Sequence, residues 1–299
     1  MQGILLLLPD FGLIVLGWAL YRLVDFGEHF WSGLEKLVYF VLFPALLFKA
    51  LASTRIDFVT AAPLFASGAA ALACGAVLGL LAKPLFGSNK AAFASRFQCA
   101  FRFNSYIGLA VIGKLHGAAG IATMGILIGA MVPLANIASV WMLARHGNLG
   151  VLREMARNPL LLATLAGFLF SSSGLTLPAA VAASLGRLSD AAVALGLLAV
   201  GAALKLRGSS GSHGASCYLL AVKLLAVPAT ALFAASSLGL SGVYFDTVIV
   251  FGALPTATSA YILAVRMAGD GPGVAWLVSA NTVVAMFTLP VWLTIALRY

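Results

Sequence analysis

Two short stretches, Arg102-Phe103-Asn104-Ser105-Tyr106 and Pro255-Thr256-Ala257-Thr258-Ser259, place groups able to hold an anion inside long apolar runs. Asn and Ser are good helix N-caps and poor helix-interior residues. A helix restarting after Asn104 would therefore direct free N–H groups and the positive end of its dipole at the interruption. Pro255 removes a backbone donor and disfavours helical geometry at Leu254, and Thr256, Thr258 and Ser259 set hydroxyls just after that break. Two half-helix N-termini meeting at one depth suit a carboxylate or a similar anion. Arg102 adds a guanidinium, whose fork can grip a carboxylate through two hydrogen bonds where a lysine offers a point charge. Asn136, Asn281 and Thr282 are the other mid-span polar groups and complete the candidate binding set. They either line the same cavity or cap carbonyls freed by the breaks.

Each feature also has a plainer reading. Pro255 can merely kink a helix, and Asn104 can pair with a neighbouring helix. A lone cation in hydrocarbon costs about 2.5 to 3.5 kcal/mol on insertion scales and so points to function, yet a long side chain can also snorkel to the interface. For Arg102 the two readings weigh equally; for Lys223 snorkelling or a helix contact is favoured. Pro44, Pro133, Pro228 and Pro290 read as bends.

The elements that must position these residues are membrane spans. With 62% hydrophobic residues, 9% charged and a mean hydropathy of +1.05, the chain carries more apolar surface than a soluble core could hide. Apolar runs bounded by charge, Gly or Pro give ten spans, at residues 4–23, 34–51, 61–81, 92–115, 118–143, 160–174, 185–204, 215–238, 243–267 and 274–297. The first lacks a basic lead-in and reads as a retained helix, not a cleaved signal. Odd-numbered loops hold Arg22, Lys83, Lys90, Arg96, Arg145, Arg153, Arg157, Lys205, Arg207 and Arg266, while even loops and termini hold Lys49, Arg55, Lys114, Arg187 and Arg298. This asymmetry puts both termini outside the cytoplasm of a plasma-membrane protein.

The two halves align at a lag of about 150 residues. Pro9 and the run 16–20 meet Pro159 and the run 166–170, Lys36 meets Arg187, Lys114 and Gly117 meet Arg266 and Gly269, and Asn104 falls opposite Thr256. Five spans per copy is an odd number, so the copies cross the membrane in opposite senses. The expectation is an all-α membrane protein with an inverted repeat, residues 1–143 and 159–299, joined by a cytoplasmic linker at 144–158. That plan fits a secondary carrier better than an enzyme or scaffold.

The net charge of +9 is scattered between spans, so nucleic acid is not an expected partner. Cys74, Cys99 and Cys217 lie inside apolar runs with no metal-ligand spacing, and the four histidines sit in or beside loops. GxSxG, HExxH and Walker patterns are absent, so neither catalysis, a cofactor nor a metal is expected.

The stretches LEKLVYFVLFPALLFKALAS (34–53), FRFNSYIGLAVIGKLHG (101–117) and GALPTATSAYILAVRM (252–267) resemble the auxin efflux carrier family, in particular its bacterial malonate and organic-acid branch. The resemblance spans the chain. It implies ten helices in two inverted repeats, with helices 1, 2, 6 and 7 as a scaffold that is also a candidate homodimer surface. Helices 3–5 and 8–10 form the transport domain, in which broken helices 4 and 9 cross. Asn104 and Pro255-Thr256 map to the crossovers. Here Phe103 precedes Asn104 and Thr256 follows Pro255, where the plant pattern has Pro before Asn at each crossover; the linker is also short. A small carboxylate is thus favoured over auxin. The wider superfamily includes sodium-coupled bile-acid-type symporters, which place an acidic residue at the crossing, a depth at which this chain has none. Sodium coupling, or a non-transporting sensor on the same fold, are the alternatives.

Overall fold

A π-helical turn precedes Pro44 and another precedes Pro228, and in both cases the proline explains the turn. Proline has no N–H to return to the carbonyl four residues back, so the ladder widens there. The Phe43 and Val227 N–H groups instead reach back five residues, to the Val38 and Val222 carbonyls. The computed structural model in which these turns are seen describes residues 2–24, 26–53, 58–87, 89–144, 159–205, 213–267 and 269–296. Among the described residues all regular structure is helical.

In chain order the helices are α1 (Gln2–Leu23), α2 (Gly27–Leu37), the first π turn (Val38–Leu42), α3 (Phe43–Ala52), α4 (Phe58–Phe86) and α5 (Lys90–Phe97). A 3₁₀ turn (Gln98–Ala100) leads towards α6 (Ser105–Ala144). Then come α7 (Pro159–Ser172), α8 (Ala179–Ala202), α9 (His213–Ala221), the second π turn (Val222–Ala226), α10 (Val227–Ser237), α11 (Gly242–Ala253), α12 (Ser259–Arg266) and α13 (Gly271–Ala296).

Among the described residues, five stretches are long and apolar enough to cross a bilayer: Ala61–Phe86, Lys90–Leu143, Ala179–Ala202, His213–Ser237 and Gly271–Ala296. The second is 54 residues long. It turns at Gly117, whose φ of 56° and ψ of −138° only glycine adopts readily, so the sequence boundary between spans at 115 and 118 coincides with a real change of direction. Helix α8 begins at Ala179, ahead of the expected 185, because the backbone turns at Pro178 (φ −56°, ψ 141°) and the small residues after it are already helical. The expected linker, apart from Ala144, lies outside the described residues.

Small residues let backbones meet where polar contacts are few. A Cβ on Gly17 of α1 would run into the carbonyl of Leu198 on α8, and one on Gly201 of α8 into the carbonyl of Ile14. Gly167 of α7 similarly lies against Phe48 and Leu51 of α3. Helix α3 also packs on α8. The remaining helices pack among themselves: α4 on α10 and α11, α11 on α6 and α13, and α12 on α13. The two sets meet where α3, α7 and α8 lie on α6, with the Tyr106 ring stacked on Phe43 at 4.4 Å, and where α1 lies on α13.

Candidate functional site at two helix interruptions

Both interruptions anticipated in the sequence are present. After the 3₁₀ turn, residues 102–104 are non-helical, and α6 starts at Ser105 with Asn104 as its cap. Asn104 Oδ1 accepts from the N–H groups of Tyr106 at 3.0 Å and Ile107 at 3.3 Å. Helix α11 stops at Ala253 because Leu254 adopts an extended conformation (φ −60°, ψ 142°), the geometry a following proline favours. Residues 254–257 are non-helical, and α12 resumes at Ser259.

The interruptions satisfy one another. The Asn104 N–H donates to the Pro255 carbonyl at 2.9 Å, and the Thr256 hydroxyl donates to the Cys99 carbonyl at 2.7 Å. Gln98 Nε2 donates to the Ala260 carbonyl at 3.1 Å and to Ser95 at 3.1 Å. Phe103 packs on Phe251 with ring centroids 4.5 Å apart. Backbone groups that hydrocarbon could not satisfy are thus paired between the two breaks.

Arg102 is half-buried beside this junction, donating from Nη1 to Asn136 Oδ1 at 3.0 Å and from Nη2 to Ser259 Oγ at 2.9 Å. Asn104 is only 3% exposed, and its Nδ2 has no acceptor among the described residues. An unpartnered buried donor is uncommon and calls for an explanation. The junction therefore presents a fixed guanidinium and an idle carboxamide donor, the equipment to bind an anion.

Of the predicted residues, Arg102, Asn104, Asn136, Pro255, Thr256 and Ser259 are linked by these contacts. Ser105, Tyr106 and Thr258 adjoin them in the chain. Asn281 and Thr282 are buried in α13 and bond their own helix instead, Asn281 Nδ2 to the Leu277 carbonyl at 3.0 Å and Thr282 Oγ1 to Val278 at 2.9 Å. Neither caps a carbonyl freed at the breaks through these bonds.

Sequence reasoning missed Gln98, which lies between Arg96 and Arg102, and the pairing of charges. Arg96 pairs with Asp270, Lys114 with Asp10 at 3.3 Å, and His116 with Asp246 at 2.7 Å. Of the two readings of Lys223 the helix contact holds and snorkelling does not: it is 1% exposed, and its Nζ donates to the Gly252 carbonyl of α11 at 3.1 Å. A cleft of about 400 Å³ lies at the other end of α11, lined by Ser236, Ser241, Phe245 and Asp246. Its carboxylate suits an anion poorly.

A family model described as membrane transport protein, that of the auxin efflux carriers, matches residues 143–293, just over half of the chain. The chain belongs to this family. Over 307 residues the transporter is 26% identical to a candidate malonate transporter of Rhizobium meliloti (strain 1021), covering 95% of this chain and 91% of that one. It is 25% identical over 290 residues to an uncharacterized transporter of Methanothermobacter thermautotrophicus, covering 94% of each. A candidate auxin efflux carrier component 1b of Oryza sativa subsp. japonica is 32% identical over 120 residues, covering 38% of this chain and 22% of the plant protein. Family and apolar helices together make this an integral, multi-pass membrane transporter.

Proposed function

We propose that this transporter is a secondary carrier of a small organic anion, a malonate-like carboxylate, bound where the α5–α6 and α11–α12 interruptions meet. The observation that carries the reading is the buried Asn104 Nδ2, which has a proton to donate and no acceptor among the described residues. A substrate carboxylate supplies that acceptor, and Arg102 supplies its counter-charge. Ser105, Tyr106, Pro255, Thr256, Thr258, Ser259 and Asn136 form the walls, with Asn281 and Thr282 behind them.

The architecture belongs to the same proposal: ten spans in two inverted repeats, residues 1–143 and 159–299, with broken helices 4 and 9 crossing. Supporting it, Gly17 and Gly167 are counterparts at a lag of about 150 residues. Gly17 packs on α8, and Gly167 packs on α3, the corresponding partner in the other repeat. Helices α1–α3, α7 and α8 would be the scaffold and the surface of a homodimer. The others would move against it like an elevator, in a plasma membrane with both termini outside the cytoplasm. One negative charge leaving an inside-negative cell gains about 2.3 kcal/mol per 100 mV, so efflux could run uncoupled while uptake needs coupling.

A specific observation also favours a second reading, sodium coupling. The carboxamide oxygens of Gln98 and Asn281 are buried without donors among the described residues, and a small cation could use them.

The test is counterflow of labelled malonate by the purified protein in liposomes, with and without sodium. Exchange is expected, and Arg102→Gln should weaken apparent affinity about tenfold, the worth of a charge-assisted hydrogen bond. Binding without counterflow would make the protein a sensor, and neither would remove the carboxylate.

A further inference from the structure

We propose that Lys223 is the proton-carrying group of this transporter, a tethered ammonium standing where the end of a broken helix would otherwise call for a bound cation. This rests on the carrier reading above.

Helix α11 ends at Ala253, and the extended Leu254 prevents the following N–H groups from reaching back to its last carbonyls. Those carbonyls carry the negative end of the helix dipole into the junction. In transporters with broken helices, such half-helix C-termini are where coupling cations bind. Here the Gly252 carbonyl is met by Lys223 Nζ at 3.1 Å. Glycine permits the reach: a Cβ at 252 would lie 2.7 Å from Ala231 Cβ and 3.0 Å from Pro228 Cα, pushing α11 off α10.

Lys223 is fully enclosed, and among the described residues no carboxylate lies within ion-pair distance of it. One carbonyl is a thin complement for an ammonium with three donors. The amine can therefore exist with or without its proton, an option an arginine lacks.

The lysine's own segment is the second π turn, a feature frequent at functional positions. Side chains from other helices brace that turn: Trp292 Nε1 donates to the Leu224 carbonyl at 3.0 Å, and Cys74 Sγ approaches the Ala226 carbonyl at 3.9 Å. Titratable groups on the elements around it are few. Helix α4 brings Cys74 and Lys83, the 3₁₀ turn Cys99, α9 His213, Cys217 and Tyr218, and α11 Tyr244 and Asp246; α10 and α13 bring none. The Tyr218 hydroxyl is committed to the Leu78 carbonyl at 2.9 Å, and Asp246 to His116.

Gly252 precedes Pro255 by three residues, at most about 11 Å of chain, and Pro255 holds Asn104 in place through its carbonyl. Anion and lysine thus share one junction, so a bound carboxylate favours the protonated amine and departs more readily once the proton leaves. Per turnover, Nζ takes one proton from water on one side and returns it to water on the other. Only N–H bonds form and break.

The test uses purified full-length protein in liposomes, labelled malonate, and a membrane potential clamped at zero. The wild type is expected to exchange malonate at equal pH and to accumulate it about tenfold per unit of imposed pH gradient, the thermodynamic value for one proton. Lys223→Gln should exchange with weakened affinity for malonate and Lys223→Arg with affinity retained, and neither should accumulate it against the gradient. Undiminished accumulation in either variant overturns the proposal, as does a wild type driven by sodium or one that exchanges without responding to the gradient; these wild-type arms stand even if a variant fails to fold. A wild type that does not exchange malonate removes the carrier reading itself, and this inference with it.

Discussion

The guanidinium of Arg96 grips a single oxygen of Asp270, with Nε at 2.7 Å and Nη2 at 2.6 Å from Oδ2. The other oxygen accepts from the Gly273 N–H at 3.0 Å, and the Asp270 N–H donates to Ser95 Oγ at 2.8 Å. This fastens α5, the leading half of one interrupted helix, to the segment that follows α12, the trailing half of the other. His116 and Asp246 join the complementary halves, α6 and α11. Both pairs span the two interrupted helices, so side-chain contacts brace the junction between them on either side.

Asp270→Asn should accordingly be among the costliest single changes. The side chains are 7% and 15% exposed, and removing one partner of a buried pair costs about 3 to 5 kcal/mol because the other charge remains. The melting temperature in detergent should fall sharply. Adding Arg96→Gln should recover part of the loss, since the stranded cation is then gone. Strict additivity in that double-mutant cycle would mean that the pair is not coupled.

Asn104 caps α6 and, in the proposed site, also donates to the anion, and substitution can separate the two. Asn104→Asp keeps a side-chain oxygen to cap α6, and the helix dipole offsets part of the cost of burying its charge, but it replaces the idle donor with a negative charge. Malonate counterflow should disappear. Asn104→Ala loses the cap as well and should cost about 1 kcal/mol. Transport by the Asp variant at the wild-type rate would show that the carboxamide does not touch the anion.

What the sequence disclosed was what local chemistry controls. Asn104 is a cap by type, Pro255 breaks a helix by covalent structure, and Gly117 turns the chain where two apolar runs meet; all three sit where their types predicted. The partnerships were hidden. Arg96 and Asp270 are 174 residues apart, and nothing local distinguishes their charges from those of ordinary loops. That Asn104 would occupy the N–H groups of its own helix, leaving Nδ2 and not a bare N-terminus for a ligand, depends on a rotamer. Asn281 and Thr282 were equally polar in the sequence, yet each found a carbonyl one turn back. Lys223 could have snorkelled for all its composition says; the Gly252 approach decided otherwise.

The α1–α8 contact can be tested by size alone. Gly17→Ala and Gly201→Ala each place a methyl against a backbone carbonyl, and overpacking of this kind typically costs about 1 to 3 kcal/mol. Gly12, on the same α1 helix, has nothing within 4 Å of its would-be Cβ. Gly12→Ala should therefore leave the melting temperature unchanged or raise it slightly, by helix propensity. Equal losses at positions 12 and 17 would mean that α1 is sensitive everywhere and the close approach carries no special weight.

Trp292 offers the sharpest check on the second π turn. Pro228 has no N–H to give the Leu224 carbonyl four residues back, and the Trp292 indole supplies a donor from α13. Trp292→Phe removes that donor with little loss of ring, leaving a buried carbonyl short of a partner at a cost of about 1 to 3 kcal/mol. Pro228→Ala returns an N–H to position 228 and allows an ordinary α-helical bond to Leu224. In the Pro228→Ala background, Trp292→Phe should then cost only its packing, well under half of what it costs alone. Thermal unfolding of the four proteins in the cycle measures this, and the same Trp292→Phe cost in both backgrounds would detach the indole from the proline and leave the π turn without its proposed brace.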